Sequence, residues 1–131
     1  MNRTVILGED EKNIATLIRF KLTKIGLNVK WFATGPEILD AVIANPPDLL
    51  LLDLMLPGMT GFEIVENLRK EKATATLPII LLSAKGQKAD IERGLGLGAT
   101  EYMMKPFDMN DLVATINKYL PAETTEKAKD N

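Results

Sequence analysis

The chain has 131 residues, 46% of them hydrophobic and 26% charged, with a formal net charge of -2. These values predict one globular domain without the basic stripe of a nucleic-acid-binding protein. There is no cysteine and no histidine, so disulfides, thiolate or imidazole metal sites and triads with an imidazole base are excluded. The first apolar run stops at Glu9-Asp10, so we predict neither a signal peptide nor a membrane span, and a cytoplasmic protein.

Five short apolar stretches predict β-strands. The most informative is the leucine run 49–52, which ends in Asp53 and lies between the proline pair 46–47 and Pro57-Gly58. A run that is too short for a helix and contains no polar residue suits a strand buried on both faces of a parallel sheet. The predicted strands cover residues 5–7, 29–33, 49–53, 77–82 and 102–104.

Between the strands, apolar residues recur at three- and four-residue steps, which predicts amphipathic helices. They begin near residues 13, 35, 62, 87 and 108. The fourth is predicted to be marginal and mobile because it carries Gly94, Gly96 and Gly98, each of which disfavours a helix interior by up to ~1 kcal/mol relative to alanine. The apolar stripes of the other four, which should cover the sheet, are Ile14, Leu17, Ile18, Leu22, Ile25, Ile38, Leu39, Val42, Ile43, Phe62, Val65, Leu68, Leu112, Val113, Ile116 and Leu120.

The alternation of strand and helix predicts a parallel sheet with helices on both faces, which is a three-layer α/β/α sandwich. Polar residues fall at or just beyond the carboxyl ends of the predicted strands, namely Glu9, Asp10, Asp53, Ser83 and Lys105. In a parallel sheet these ends share one edge, and ligands bind there. The sequence therefore predicts that the five side chains meet in one crevice.

The charges of this crevice predict its chemistry. Three carboxylates and one lysine leave an excess of negative charge, and like charges ~4 Å apart repel by roughly 4 kcal/mol at an effective dielectric constant near 20. A cation therefore belongs there, and oxygen ligands without histidine or cysteine favour Mg²⁺ or Mn²⁺. Beside such an ion, Asp53 could attack phosphorus while Ser83 and Lys105 contact the phosphoryl oxygens. Taken singly, Glu9-Asp10 or Asp53 could instead cap a helix or turn, and Lys105 could be a solvated loop residue.

In this order and spacing, these residues resemble the receiver domain of two-component response regulators, including the single-domain chemotaxis regulators. The likeness covers residues 3–120 and rests on Glu9-Asp10, on Asp53 followed by Leu56-Pro57-Gly58-Met59-Thr60-Gly61, on Ser83-Ala84 and on Tyr102-Met103-Met104-Lys105-Pro106-Phe107. It implies a flavodoxin-like fold with a five-stranded parallel sheet of order 2-1-3-4-5, and a domain over residues 1–120. The polar residues 121–131 predict a disordered tail or the start of a linker.

The resemblance also implies a phosphoacceptor and a metal site. Asp53 would take a phosphoryl group from the phosphohistidine of a sensor histidine kinase or a histidine phosphotransfer protein, which supplies the imidazole that this chain lacks. Asp10 and Asp53 would ligate Mg²⁺ directly, and the backbone carbonyl of Met55 would be a third ligand. Glu9, in a position where aspartate is common in the family, would act through water.

A switch is the third implication of the resemblance. Lys105 and Ser83 would contact the phosphoryl group, and Tyr102 would change rotamer with it. A downstream protein would then bind the face formed by the fourth helix, the fifth strand and the fifth helix, and no contact with nucleic acid or membrane is implied. The domain would be a signalling protein and not an enzyme, because it would catalyse only its own phosphorylation and dephosphorylation.

Three other classes share parts of this pattern. A haloacid-dehalogenase-type phosphohydrolase needs a second aspartate two residues after the first, where this chain has Met55. A flavodoxin needs a phosphate-cradling loop after the first strand, where Glu9-Asp10-Glu11 would repel phosphate. A degenerate receiver that serves only as an interaction module is the third alternative, and the presence of all five site residues argues against it.

Overall fold

The computed structural model describes residues 3–84 and 87–120. Its strands form one parallel sheet in the order β2-β1-β3-β4-β5, which confirms the predicted fold class. The strands are β1 (Thr4–Gly8), β2 (Asn28–Phe32), β3 (Leu49–Asp53), β4 (Ile79–Ser83) and β5 (Glu101–Met104). The helices are α1 (Lys12–Lys24), α2 (Gly35–Ala44), α3 (Gly61–Lys70), α4 (Lys88–Gly96) and α5 (Met109–Tyr119), and a short 3-10 turn at Lys72–Thr74 follows α3. The predicted tail at 121–131 lies outside the described residues, and so does the predicted boundary after residue 120.

Two hydrophobic cores lie on opposite faces of the sheet. The leucine run supplies both, because Leu50 and Leu52 point to the core beneath α2 and α3, while Leu49 and Leu51 point to the core beneath α1 and α5. All residues of β3 and β4 are buried, as expected for central strands of a covered parallel sheet. Within the described residues, no helix is long and apolar enough to cross a bilayer.

Three predicted core residues are exposed in the structure. Leu17 is 60% exposed, and Ile25 and Ile43 are also exposed. The buried line of α1 instead starts from a small residue, Ala15, and continues through Ile18 and Leu22; Leu17 lies one residue off this line, which is about 100° around a helix. Ile43 is one residue off the buried line of α2 in the same way, and Ile25 follows the last residue of α1.

Hydroxyl caps fix the turns that lead into α2 and α3. The Thr34 side chain accepts a hydrogen bond from the backbone N–H of Glu37 at 3.4 Å. At α3 the exchange is reciprocal, because Thr60 Oγ1 accepts from the Glu63 N–H at 3.2 Å and Glu63 Oε1 accepts from the Thr60 N–H at 2.9 Å. Such a capping box satisfies backbone donors that the first helical turn leaves open. The chain can therefore turn sharply into α3 soon after Asp53.

Helix α4 meets the sheet through a glycine. Gly94 is buried, and a Cβ atom placed on it would lie 2.7 Å from Cδ1 of Leu81, which is itself fully buried. Past the last turn, Gly98 has a φ of +115°, a conformation that glycine adopts readily at helix ends. Arg69 holds this end of α4, since its Nε donates to the Gly98 carbonyl at 2.9 Å and its Nη1 to the Thr74 carbonyl at 2.8 Å.

Two glycine substitutions in α4 should have opposite effects on stability. Gly94→Ala gains about 1 kcal/mol of helix propensity but overpacks against a buried leucine, which costs about 1–3 kcal/mol, so we expect a net loss of about 1 kcal/mol. Gly96→Ala is the matched control, because a Cβ atom placed on Gly96 would have no atom within 4 Å, and it should stabilise by up to ~1 kcal/mol. Urea unfolding of the wild type and both variants measures these changes in the free energy of unfolding. Equal gains for the two would show that Gly94 is not a packing requirement.

Candidate functional site

The carboxyl ends of four neighbouring strands deliver polar side chains to one cleft. Glu9 and Asp10 follow β1, Asp53 ends β3, Ser83 ends β4 and Lys105 follows β5. All five line a cleft of about 330 Å³, together with Glu11, Met55 and Ala84. The predicted convergence of these five side chains is therefore confirmed.

Three carboxylates of this cleft lie close together. One oxygen each from Glu9, Asp10 and Asp53 can be chosen so that all three lie within 4.8 Å of one another. Glu9 is fully buried and Asp53 is 6% exposed, whereas Asp10 is exposed to solvent. Two carboxylates of the group are therefore buried, and the third faces solvent, on the side from which an ion could enter.

Lys105 links two of these carboxylates. Its Nζ donates to Glu9 Oε1 at 2.8 Å and to Asp53 Oδ2 at 3.0 Å. Its own backbone N–H donates to the Ser83 carbonyl at 2.8 Å, and a cis peptide bond joins it to Pro106. Burial alone would lower the pKa of Lys105, but the hydrogen bonds to Glu9 and Asp53 outweigh it and hold the pKa above its usual value. The lysine is therefore charged throughout the physiological range.

Glu9 is held on both side-chain oxygens. Lys105 occupies Oε1, and the backbone N–H of Glu11 donates to Oε2 at 3.0 Å. Burial raises the pKa of Glu9 above the ordinary carboxyl value, although the lysine and the Glu11 N–H oppose this change. The side chain of Glu11, which is the N-cap residue of α1, makes no capping hydrogen bond. Glu9 does more than cap the helix, because its other side-chain oxygen accepts a hydrogen bond from Lys105.

Asp53 has a defined orientation. One oxygen accepts from Lys105, and Oδ1 accepts from the backbone N–H of Met55 at 3.2 Å. Met55 lies at the rim of the cleft with an exposed side chain. The use of its carbonyl as a metal ligand stays a prediction.

Ser83 and Tyr102 lie on the same face of the sheet. Ser83 is buried and lines the cleft. Tyr102 pairs in register with Leu81, two residues before Ser83, and is half-buried. Its ring atom Cδ2 lies 3.6 Å from the position of a Cβ on Gly94. Tyr102 thus borders α4, and its change of rotamer on phosphorylation stays a prediction.

Two contributions to this region were not predicted from the sequence. The backbone N–H of Glu11 binds Glu9, and the indole Nε1 of Trp31 donates to the Glu9 carbonyl at 2.7 Å. Glu11 could have been found as part of the acidic run 9–11. Trp31 gave no signal beyond strand formation, because its partner lies 22 residues away in sequence.

The donor set fits a hard divalent cation. The carboxylates of Glu9, Asp10 and Asp53 together with the Lys105 ammonium have a formal charge of -2 when all four groups are ionised, and the three carboxylates offer only oxygen ligands. Mg²⁺ and Mn²⁺ prefer such oxygen ligands, and a dication would balance this charge.

Removing the ammonium should destabilise the fold in a pH-dependent way. Lys105→Met leaves the buried Glu9 carboxylate without its counter-charge, and loss of one partner of a buried pair costs about 3–5 kcal/mol. Because burial raises the pKa of Glu9, its carboxylate binds a proton more readily in the folded protein than in the unfolded chain. The free energy of unfolding therefore falls as the pH rises above the ordinary carboxyl pKa. Without Lys105 this effect grows, so the loss should be larger at pH 7 than at pH 5.

Urea unfolding in EDTA at the two pH values measures this loss. Lys118→Met is the control, because Lys118 pairs with Glu101 while 57% exposed, and exposed pairs contribute about 0–1 kcal/mol. An equal effect of the two substitutions, or no dependence of the Lys105→Met loss on pH, would contradict the burial of Glu9 as a charged group.

Comparison with known proteins identifies the family. The family model for the response regulator receiver domain matches residues 5–117. A solved structure of a putative response regulator from Chloroflexus aurantiacus J-10-fl is 32% identical, with 92% of this chain and 98% of that chain covered and a TM-score of 0.86. The chemotaxis response regulator CheY4 of Vibrio cholerae is 27% identical, with 91% and 99% covered and a TM-score of 0.86.

A third relative carries a metal. The receiver domain of the sensor histidine kinase PA1611 from Pseudomonas aeruginosa PAO1 is 26% identical, with 91% of this chain and 98% of that chain covered and a TM-score of 0.84. Its structure has a magnesium ion coordinated in the active site cleft. The family match spans most of the chain and agrees with the sheet order and the strand-end cleft. The chain therefore belongs to the response regulator receiver domains, which work in two-component phosphorelay signalling.

Proposed function

We propose that Asp53 is the phosphoacceptor of this receiver domain, and that the chain takes its phosphoryl group from the phosphohistidine of a sensor histidine kinase or histidine phosphotransfer protein in the cytoplasm. The observation that carries the proposal is the Asp53 carboxylate, nearly buried and bonded to Lys105 at 3.0 Å, with oxygens of Glu9 and Asp10 in the same cluster within 4.8 Å. The domain would comprise residues 1–120. It would catalyse only its own phosphorylation and dephosphorylation.

The transfer is a displacement at phosphorus. An oxygen of Asp53 forms the new O–P bond while the N–P bond of the phosphohistidine breaks. The electron pair of the N–P bond returns to the imidazole of the donor. The donor must supply that imidazole, because this chain has no histidine. Hydrogen bonds from Lys105 and from the Met55 N–H orient the carboxylate before the donor arrives. Such orientation removes part of the entropic barrier to attack.

The acidic cluster would hold Mg²⁺, or Mn²⁺, through Asp10 and Asp53 directly, through the carbonyl of Met55, and through a water bound to Glu9. When bound, the ion would neutralise charge on the phosphoryl oxygens. The clustered carboxylate oxygens support this assignment, as does the magnesium in the cleft of the related PA1611 domain. Glu9 would also help to keep Lys105 charged and in place, through the 2.8 Å contact between its Oε1 and the lysine Nζ.

Phosphorylation would then change the face formed by α4, β5 and α5. The Lys105 ammonium would contact the new phosphoryl oxygens, and the hydroxyl of Ser83 would move toward them. Tyr102, on the same side of the sheet, would follow into the space that Ser83 leaves. The burial of Gly94 in α4 supports this route, because the helix rests on the sheet without inserting a large side chain there. A downstream protein would recognise the repacked face.

Replacement of Asp53 should abolish phosphorylation. Incubation with acetyl phosphate and Mg²⁺ should add one phosphoryl group to the wild-type protein and none to Asp53→Asn, as measured by intact-protein mass spectrometry. Asp40→Asn on the exposed side of α2 is the control and should be modified like the wild type. Equal modification of Asp53→Asn would show that another residue accepts the phosphoryl group. Equal modification of the wild type without Mg²⁺ would contradict the role proposed for the metal.

Phosphorylation should also loosen or shift α4. Amide hydrogen exchange of residues 88–96 should change by about tenfold, equal to about 1.4 kcal/mol, between the phosphorylated and unphosphorylated proteins, because local opening responds to the lost or gained contacts of that helix. Amides of α2 provide the internal reference and should not change. Identical exchange in α4 would refute the switch while leaving the phosphoacceptor assignment in place.

A further inference from the structure

The acidic loop between β1 and α1 is fixed from the edge strand β2. The backbone N–H of Glu9 donates to the Phe32 carbonyl at 3.2 Å, and the Glu9 carbonyl accepts from Trp31 Nε1 at 2.7 Å. Both backbone polar groups of Glu9 are therefore bonded to two successive residues of β2. The backbone hydrogen bond continues the sheet ladder and would form with any residue in β2. The indole hydrogen bond, in contrast, requires a tryptophan at position 31.

The indole contact controls a peptide plane. The Glu9 carbonyl and the Asp10 N–H belong to one peptide unit, which is planar. A donor that fixes the carbonyl therefore fixes the direction in which the chain leaves toward Asp10. This matters most for Asp10, because it is exposed, whereas the Glu9 side chain is already held by Lys105 and by the Glu11 N–H.

Trp31 is itself firmly seated. Its side chain packs against the core beneath α1 and α5, beside Leu7 in the register of β1 with β2. The guanidinium carbon of Arg19 on α1 lies 5.6 Å from the centre of the ring, within the range of a cation–π contact. Packing against the core and the contact with Arg19 restrict the indole, so it can act as a well-oriented hydrogen-bond donor.

We propose that Trp31 is a positioning residue for the metal site, whose indole N–H sets the orientation of the Glu9–Asp10 peptide and thereby aims the Asp10 carboxylate at the cation. This inference rests on the proposed function, since it assumes that Asp10 is a metal ligand. Partners that orient metal ligands typically change metal affinity 10–100-fold when they are replaced. One neutral hydrogen bond to a backbone carbonyl places the expected change at the lower end of that range.

The test uses a substitution that removes the donor and keeps an aromatic ring. In Trp31→Phe the Mg²⁺ dissociation constant, measured by isothermal titration calorimetry, should rise by about 10-fold. Val29→Ala is the matched control, because Val29 packs against the same core from the same strand but donates nothing to the loop, and its Mg²⁺ affinity should stay within about twofold of wild type. Unchanged affinity in Trp31→Phe, or an equal loss in Val29→Ala, would overturn the inference.

Phosphorylation kinetics separate positioning from general damage. With acetyl phosphate, Trp31→Phe should need about 10-fold more Mg²⁺ for half-maximal rate and should reach the wild-type rate at saturation. A lower rate at saturating Mg²⁺ with an unchanged midpoint would contradict a role in aiming a ligand. Failure of the wild-type protein to bind Mg²⁺ or to be phosphorylated would overturn the proposed function, whereas normal wild-type behaviour with no change in Trp31→Phe overturns this inference alone.

A second measurement needs no variant. Trp31 is the single tryptophan of the chain, so a ¹⁵N-labelled wild-type sample gives one indole N–H signal in the NMR spectrum. Addition of Mg²⁺ should shift this signal with the same midpoint that calorimetry gives for binding. A signal that does not move through saturation would overturn the proposal, even if Trp31→Phe proves too unstable to study.

Discussion

The buried ion pair between Lys105 and Glu9 is the constraint on which the cleft depends. A fully buried carboxylate is unfavourable unless it is paired, and here its partner comes from the loop after β5, on the far side of β3 and β4. The same ammonium also contacts Asp53 on β3. One lysine therefore joins the ends of three strands. It satisfies the buried charge while leaving the group as a whole negative, and this residual charge is what makes the cleft receptive to a cation.

The position of the cleft follows from how the strands are buried. Leu49–Asp53 and Ile79–Ser83 are covered on both faces, so polar side chains are excluded until each strand reaches its end. Asp53 and Ser83 are the last residues of their strands and line the cleft. The hydrophobic demand that builds the sheet thus also collects the reactive groups at one edge. Fold and chemistry share a single cause in this domain.

The strands, the layers and the cluster of Glu9, Asp53 and Lys105 could be predicted from the sequence, because all three depend on local periodicity and on the shared edge of parallel strands. The strand order came from family resemblance, since periodicity does not say which strands are neighbours. Leu17 was misplaced because an apolar pattern does not reveal that a small residue, Ala15, lies on the buried line. The Trp31 contact was missed because a hydrogen bond between β2 and a distant loop has no local signature.

Arg69 gives α4 a fixed end. Its guanidinium binds the Gly98 carbonyl just beyond the carboxyl end of the helix. The amino end of the helix is Lys88, five residues after Ser83. Under the proposed switch, a helix held in this way would tilt about the end that Arg69 binds. Nine residues span about 13 Å at 1.5 Å per residue, so a tilt of about 10° carries the opposite end through about 2 Å. Under the proposed switch, the displacement of α4 would therefore be largest at Lys88, the end nearest Ser83 in the chain, and smallest at the end that Arg69 holds.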